Sequence, residues 1–266
     1  LISNQFIVAG EIFMQHKRFE AEIFLAGPSS RWDEEMSSNW MWWLPQAAPS
    51  KIDHRSSVYI ADGALESFLG WYDSLPPIAA QHLQSIVWCG DGDSLGKHRM
   101  EILKQTAARF EGRWREHFYP TDKDFSDCAA LLSLIEYDVR HSVEPVTAVG
   151  LSVRGALGGR SDHEWVNIYE LIQVLTRLPV AATVCLGPRR VLSTAPVILH
   201  NALGQKFTLL SAIPNQPLRV RVNGARYSGE LLLRQPSHGL SNVAVSESVQ
   251  IEPLSPSLPM IGILSE

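Results

Sequence analysis

Hydrophobic and polar residues alternate along this chain in two different rhythms. Up to about residue 180, short apolar runs give way to segments of helical spacing. The runs are Gln5 to Ala9, Ala21 to Ala26, Ser57 to Ala61, Ser85 to Cys89, His117 to Tyr119 and Val146 to Val153. Each is short, and several stop at Gly or Pro, as buried strands ending in turns do. Residues 1–20 read as an extension or an alternative start, which leaves Ala21 to Ala26 as the better first core strand. Apolar residues at helical spacing predict helices over Ala64 to Tyr72, His98 to Phe110, Cys128 to Tyr137 and about Glu164 to Leu178. Pro76-Pro77 breaks the first of these, and Ser126 or Asp127 can cap the third.

Beyond Pro179 the helical spacing disappears. Thr183 to Leu186, Arg190 to Leu199, Lys206 to Ile213, Leu218 to Val222, Glu230 to Arg234, Val243 to Ile251 and Met260 to Leu264 are extended runs punctuated by Gly, Pro and Asn. The expected architecture is an N-terminal three-layer α/β domain with a mostly parallel sheet over residues 1–179. An all-β sandwich over residues 180–266 follows it. Between the first runs lies a polar stretch, Ser29 to Arg55, that holds Trp32, Trp40, Trp42 and Trp43. Such a cluster serves packing more often than it lines an aromatic ligand pocket.

Composition narrows the field of functions. A net charge of -5 with no polybasic block argues against a nucleic-acid surface, although local cations can still meet a small anion. Three cysteines, Cys89, Cys128 and Cys185, stand far apart without a Cys-x-x-Cys pair, so neither a disulfide framework nor a zinc site is expected. Leu1 to Met14 carries no basic leader, and no apolar run reaches the ~18 residues of a membrane span. A cytoplasmic protein without membrane or nucleic-acid partners is the expectation.

The candidate chemistry lies where strands end. Ile86-Val87-Trp88 leads into Gly90-Asp91-Gly92-Asp93-Ser94, and residues two apart in extended chain face one side, so Asp91 and Asp93 can converge on a cation. A solvated Gly/Asp turn explains the same residues. Val58-Tyr59-Ile60 ends likewise on Asp62-Gly63. Before the third helix stands Lys123-Asp124-Phe125-Ser126-Asp127, where an acidic cap alone accounts for the last residues. After Val153 comes Gly155-Ala156-Leu157-Gly158-Gly159-Arg160-Ser161-Asp162-His163, a strand, glycine-rich turn and helix start of the kind that binds phosphate. Arg160 supplies a planar charged fork there, while Asp162 and His163 also read as helix-start polar residues.

Taken in order, these blocks resemble the thiamine pyrophosphokinase family over most of residues 57–250. They are Ala61-Asp62-Gly63, Gly90-Asp91-Gly92-Asp93-Ser94, Lys123-Asp124-Phe125-Ser126-Asp127 and Gly158-Gly159-Arg160-Ser161-Asp162-His163 with Asn167. Leu210-Ser211-Ala212-Ile213-Pro214 and Leu240-Ser241-Asn242 are similar to the family's Ser-x-Ile-Pro and Ser-Asn elements. The resemblance implies pyrophosphate transfer from ATP to the thiamine hydroxyl, with magnesium, in a homodimer whose sites lie between subunits.

The resemblance also implies residue roles. Asp91, Asp93 and Asp124 would hold the metal, with Asp62 and Asp127 behind them, and the first three with Lys123 would form the catalytic set. Asp62, Ser94, Ser126, Asp127, Gly159, Arg160, Asp162 and His163 would meet the nucleotide, and Tyr227, Ser241 and Asn242 the thiamine. The sequence departs from the family pattern at Gly224-Ala225-Arg226-Tyr227, at Val243 after the Ser-Asn pair, and at Ala64 and Ser126. Two other readings keep parts of this picture: a pyrophosphokinase for another heterocyclic hydroxymethyl compound such as a pterin, and a nucleotide or thiamine sensor without catalysis.

Overall fold

The structure is a computed structural model that describes residues 17–27, 43–45, 56–187, 189–255 and 258–265. The expected strand at Gln5 to Ala9 and the residues Trp32, Trp40 and Trp42 lie outside the described residues. Strands β1 (Lys17–Phe24), β2 (Trp43–Pro45), β3 (Ser56–Ala61), β4 (Leu83–Gly90), β5 (Trp114–Phe118), β6 (Val146–Arg154) and β7 (Ala181–Cys185) interleave with five helices. These are α1 (Leu65–Ser74), α2 (Pro77–Gln81), α3 (Arg99–Arg109), α4 (Asp127–Arg140) and α5 (Ser161–Arg177). The strands after them are β8 (Arg190–Ser193), β9 (Val197–His200), β10 (Lys206–Ser211), β11 (Leu218–Asn223), β12 (Gly229–Leu233), β13 (Asn242–Val243), β14 (Ser248–Pro253) and β15 (Met260–Leu264).

The chain is mixed α/β, with a large, parallel-dominated sheet and a second, antiparallel one. The ten-stranded sheet runs β13-β10-β15-β8-β7-β6-β1-β3-β4-β5. Its half from β7 to β5 is parallel throughout, and β8, β15, β10 and β13 continue it antiparallel. Parallel strands need cover on both faces, which is why Ile86, Val87, Trp88 and Cys89 form an unbroken buried run. Tyr59 shows one face, donating its hydroxyl proton to Asp138 of α4 at 2.6 Å. Phe24 shows the other, packing its ring on Phe68 and Trp71 of α1.

The five-stranded sheet, β12-β11-β14-β9-β2, packs against the antiparallel half of the large one. The face it turns inward is apolar: Leu199, Val220, Val222, Val249 and Ile251 share a core with Phe207, Leu209 and Met260 of the large sheet. The texture change near residue 180 precedes the change in pairing by one strand, because β7 still runs parallel to β6 and the β7–β8 hairpin turns the sheet antiparallel.

Several element boundaries differ from expectation. Pro77, read as a breaker, is the first residue of α2, where a missing N–H costs nothing. The strand expected at His117 to Tyr119 is β5, which begins earlier at Trp114. Arg190 to Leu199 divides into β8 and β9, and Val243 to Ile251 into β13 and β14. β2, an edge strand paired with β9, lies in the stretch read as polar and Pro-containing.

Candidate active site

Neighbouring parallel strands bring the acidic residues together. β3 and β4 run in register, with Ala61 opposite Cys89, so Asp62 and the Asp91 turn leave the sheet side by side at its carboxyl edge. Asp62 is 1% exposed and opens a 3-10 turn. One of its oxygens, Oδ2, accepts the Ser94 N–H at 3.2 Å; the other, Oδ1, is buried with no hydrogen-bond partner. Gly90 is required at the junction, since a Cβ there would stand 2.3 Å from the Asp62 Cβ. Gly92 takes φ +79°, the left-handed turn that folds the loop back. The Asp93 N–H then donates to Asp91 Oδ1 at 3.0 Å, and Ser94 Oγ donates to Asp93 Oδ1 at 3.2 Å.

As a result, carboxylate oxygens of Asp62, Asp91 and Asp93 lie within 4.8 Å of one another. Burial pushes the Asp62 carboxyl up to about 6, with the Asp127 and Asp91 charges adding to it and the Ser94 hydrogen bonds opposing. The Asp91 carboxyl is held below its ordinary value, first by the Asp93 N–H and also by Lys123. A buried carboxylate oxygen without a donor, beside two more carboxylates, fits a hard divalent cation that takes oxygen ligands. Asp124, expected in this set, is exposed and is not one of the three; Asp62 stands there instead.

Lys123 connects the third block to the first two. Its ammonium lies 3.1 Å from Asp127 and 4.0 Å from Asp91, with 12% of the side chain exposed. Burial alone would lower the Lys123 pKa, but Asp127 and Asp91 outweigh it and raise it. Ser126 caps α4, its Oγ accepting the Ala129 N–H at 3.0 Å while donating to Glu170 of α5 at 2.9 Å. Burial raises the Glu170 carboxyl, against the Ser126 bond.

The glycine-rich block is more open. Gly159, Arg160, Asp162 and His163 are all exposed. Arg160 donates to Asp162 at 3.2 and 2.6 Å, and the Gly158 N–H donates to Glu164 at 2.5 Å. Carboxylates of the chain thus occupy the donors that an anion would use. Asn167 donates to the Ala156 carbonyl at 3.3 Å, holding the loop to α5.

Tyr227, Ser241 and Asn242 form a separate group, just before β12 and at the start of β13. Tyr227 is 60% exposed, whereas Asn242 is buried. Among the described residues no hydrogen bond or ion pair joins this group to the acidic one.

Two residues, Arg99 and Glu170, escaped the sequence reading, and Asp62, placed there with the nucleotide, takes a different place. Arg99 donates to the Asp91 carbonyl at 3.3 Å and lays its stem along Gly92. Glu170 serves Ser126, and Asp62 joins Asp91 and Asp93. No spacing signal links residues 126 and 170, whereas the strand-end position of Asp62 matched that of Asp91 from the outset.

No protein-family model matches the chain, and no curated protein matches it in sequence. Solved structures do. The thiamine pyrophosphokinase from Bacillus subtilis superposes with a TM-score of 0.57 at 12% identity, over 94% of this chain and 100% of that one. A thiamin pyrophosphokinase family protein from Enterococcus faecalis gives 0.55 at 15% identity over 94% and 100%, and the thiamin pyrophosphokinase from Candida albicans 0.54 at 13% over 94% and 94%. The chain therefore has the thiamine pyrophosphokinase fold.

Proposed function

We propose that the protein is a magnesium-dependent thiamine pyrophosphokinase, which transfers pyrophosphate from ATP to the thiamine hydroxyl and releases AMP. The observation that carries this is the convergence of Asp62, Asp91 and Asp93, with one buried Asp62 oxygen lacking a donor, on a chain of this fold. Those three residues are assigned to magnesium. When bound, the ion would neutralise polyphosphate charge and polarise the transferred group.

The chain's own residues supply the rest. Lys123 is held by Asp127 beside Asp91 and faces the negative charge that spreads over the equatorial oxygens. Ser94, Ser126 and the amides at the start of α5 position the nucleotide, and Arg160 exchanges Asp162 for phosphate. The alcohol oxygen bonds to the β-phosphorus as the bond from that phosphorus to the departing AMP oxygen breaks. Asp124, exposed and outside the metal group, is assigned the hydroxyl proton.

The group of Tyr227, Ser241 and Asn242 is assigned to the thiamine end of the site, with the exposed Tyr227 making the contact. Residues 1–179 would then hold ATP and residues 180–266 the alcohol. A homodimer, in which the second group of one chain faces the acidic group of another, suits the absence of bonds between the two groups among the described residues. Three free cysteines suit a reducing cytosol as the place of reaction.

Incubation with ATP, magnesium and thiamine should yield AMP and thiamine diphosphate in equal amounts. Formation of ADP, or no turnover, would sink the proposal; AMP release only with a pterin or another hydroxymethyl heterocycle would transfer the same chemistry to a different alcohol.

A further inference from the structure

Asn242 is only 5% exposed, and its carboxamide is almost fully spent inside the protein. Its Oδ1 accepts the Tyr227 N–H at 3.0 Å and the Val243 N–H at 2.9 Å, while Nδ2 donates to the Tyr227 carbonyl at 2.9 Å. A carboxamide has two acceptor lone pairs and two donor hydrogens, so a single N–H is left over. The Tyr227 peptide is gripped at both its polar groups. The flanking backbone is fastened to the same segment: Arg226 N–H donates to the Val243 carbonyl at 2.8 Å and Val245 N–H to the Gly224 carbonyl at 2.9 Å. Ser241, just before Asn242, takes φ +52°, a left-handed conformation uncommon for a residue with a side chain, and its N–H is held by Thr208 Oγ1 at 3.3 Å.

Tyr227, carried by this fixed backbone, is 60% exposed, and so are Leu240 and Val245, two residues before and three after Asn242 in the chain. An exposed aromatic residue on a rigid backbone is a preorganised platform for a flat heteroaromatic ligand.

We infer that Asn242 acts on the ligand only through Tyr227: its carboxamide sets the position of the Tyr227 peptide, and hence of the exposed ring, without touching substrate. Asn242 is a positioning residue, and Tyr227 makes the contact. This rests on the reading of the Tyr227 ring as the surface that receives thiamine.

Two measurements test it. Hydrogen exchange of the Tyr227 amide reads the grip without any turnover: Asn242→Ala should speed it at least about tenfold, and Asn242→Asp, which keeps the acceptor but sets an oxygen against the Tyr227 carbonyl, should speed it less. In the AMP-release assay, Tyr227→Ala and Asn242→Ala should each raise KM for thiamine about tenfold with KM for ATP unchanged, and the double variant should be no worse than Tyr227→Ala. Asn242→Asp, which loses the donor to the Tyr227 carbonyl, should show a smaller rise in KM for thiamine, and it serves as the test if Asn242→Ala does not fold, unchanged exchange and KM then counting against the inference. Unchanged Tyr227 exchange in Asn242→Ala, or losses that multiply to about a hundredfold in the double variant, would overturn the inference. Absence of thiamine turnover by the unaltered protein would instead sink the functional reading, and the exchange measurement would still decide the grip.

Discussion

Gly90 and Asp62 are packed so closely that a methyl group on Gly90 would stand 2.3 Å from the Asp62 Cβ and 2.8 Å from its carboxyl carbon. The last residue of one strand thereby sets how near the carboxylate of the adjacent strand can come to the Asp91 turn. Gly90→Ala should push Asp62 away from Asp91 and Asp93. Turnover should fall about a hundredfold or more, by comparison with the loss of one preorganised electrostatic contact. The magnesium concentration for half-maximal rate should rise with it. Steady-state assays over a magnesium series check this, and wild-type kinetics in the variant would remove Asp62 from the metal group.

Asp62 should make the metal-free protein sensitive to pH. Its carboxyl is pushed up to about 6 from an ordinary 3.8, so the folded chain holds a proton that the unfolded chain has lost between those values. Stability from this group therefore rises as pH falls through that window, and at neutral pH the buried charge costs up to about 3 kcal/mol. Asp62→Asn should be the more stable protein in chelator at about pH 7.5, and the difference should vanish near about pH 4. Urea midpoints at the two pH values measure it. Magnesium should reverse the order at neutral pH, since binding favours the ionised carboxylate.

Lys123 stands between two carboxylates, 3.1 Å from Asp127 and 4.0 Å from Asp91. Lys123→Met keeps the stem but removes the charge. It should lower kcat about a hundredfold while changing KM for thiamine little. Equal kcat in the two proteins would assign Lys123 to structure alone.

The Ser126 hydroxyl ties the cap of α4 to Glu170 of α5. Glu170→Ala should cost about 1 kcal/mol of stability, the typical net value of one such hydrogen bond, and Glu170→Gln less, because the amide oxygen still accepts. Urea unfolding of both variants tests the order, and a Glu170→Ala protein as stable as the unaltered one would show that the bond is idle.

How far the sequence led can be judged from these same residues. Apolar runs ending on Asp62-Gly63 and Gly90-Asp91 announced two strand ends, because burial on both faces of a parallel strand demands continuous hydrophobicity and the turn beyond it demands glycine. The Lys123 block before α4 and the glycines before α5 were legible for similar local reasons. Legibility failed where the deciding neighbour was remote. That Asp62, and not Asp124, lies with Asp91 and Asp93 follows from the Ala61 to Cys89 register. That Asn242 spends its carboxamide on Tyr227 follows from the bridge that brings Ala225 to Ala244.

By itself, then, the sequence determined the alternation of strands and helices, the change to extended structure in the last third, and the chemical kinds of side chain at the strand ends. Those depend on local periodicity and turn propensity, which reach only a few residues along the chain. Only the tertiary structure decided which carboxylates share one site, how deeply Asp62 is buried, and which polar groups are used up internally. Distance, burial and hydrogen-bond partnership are set by strand register and packing between segments far apart in the chain, and no single segment encodes them.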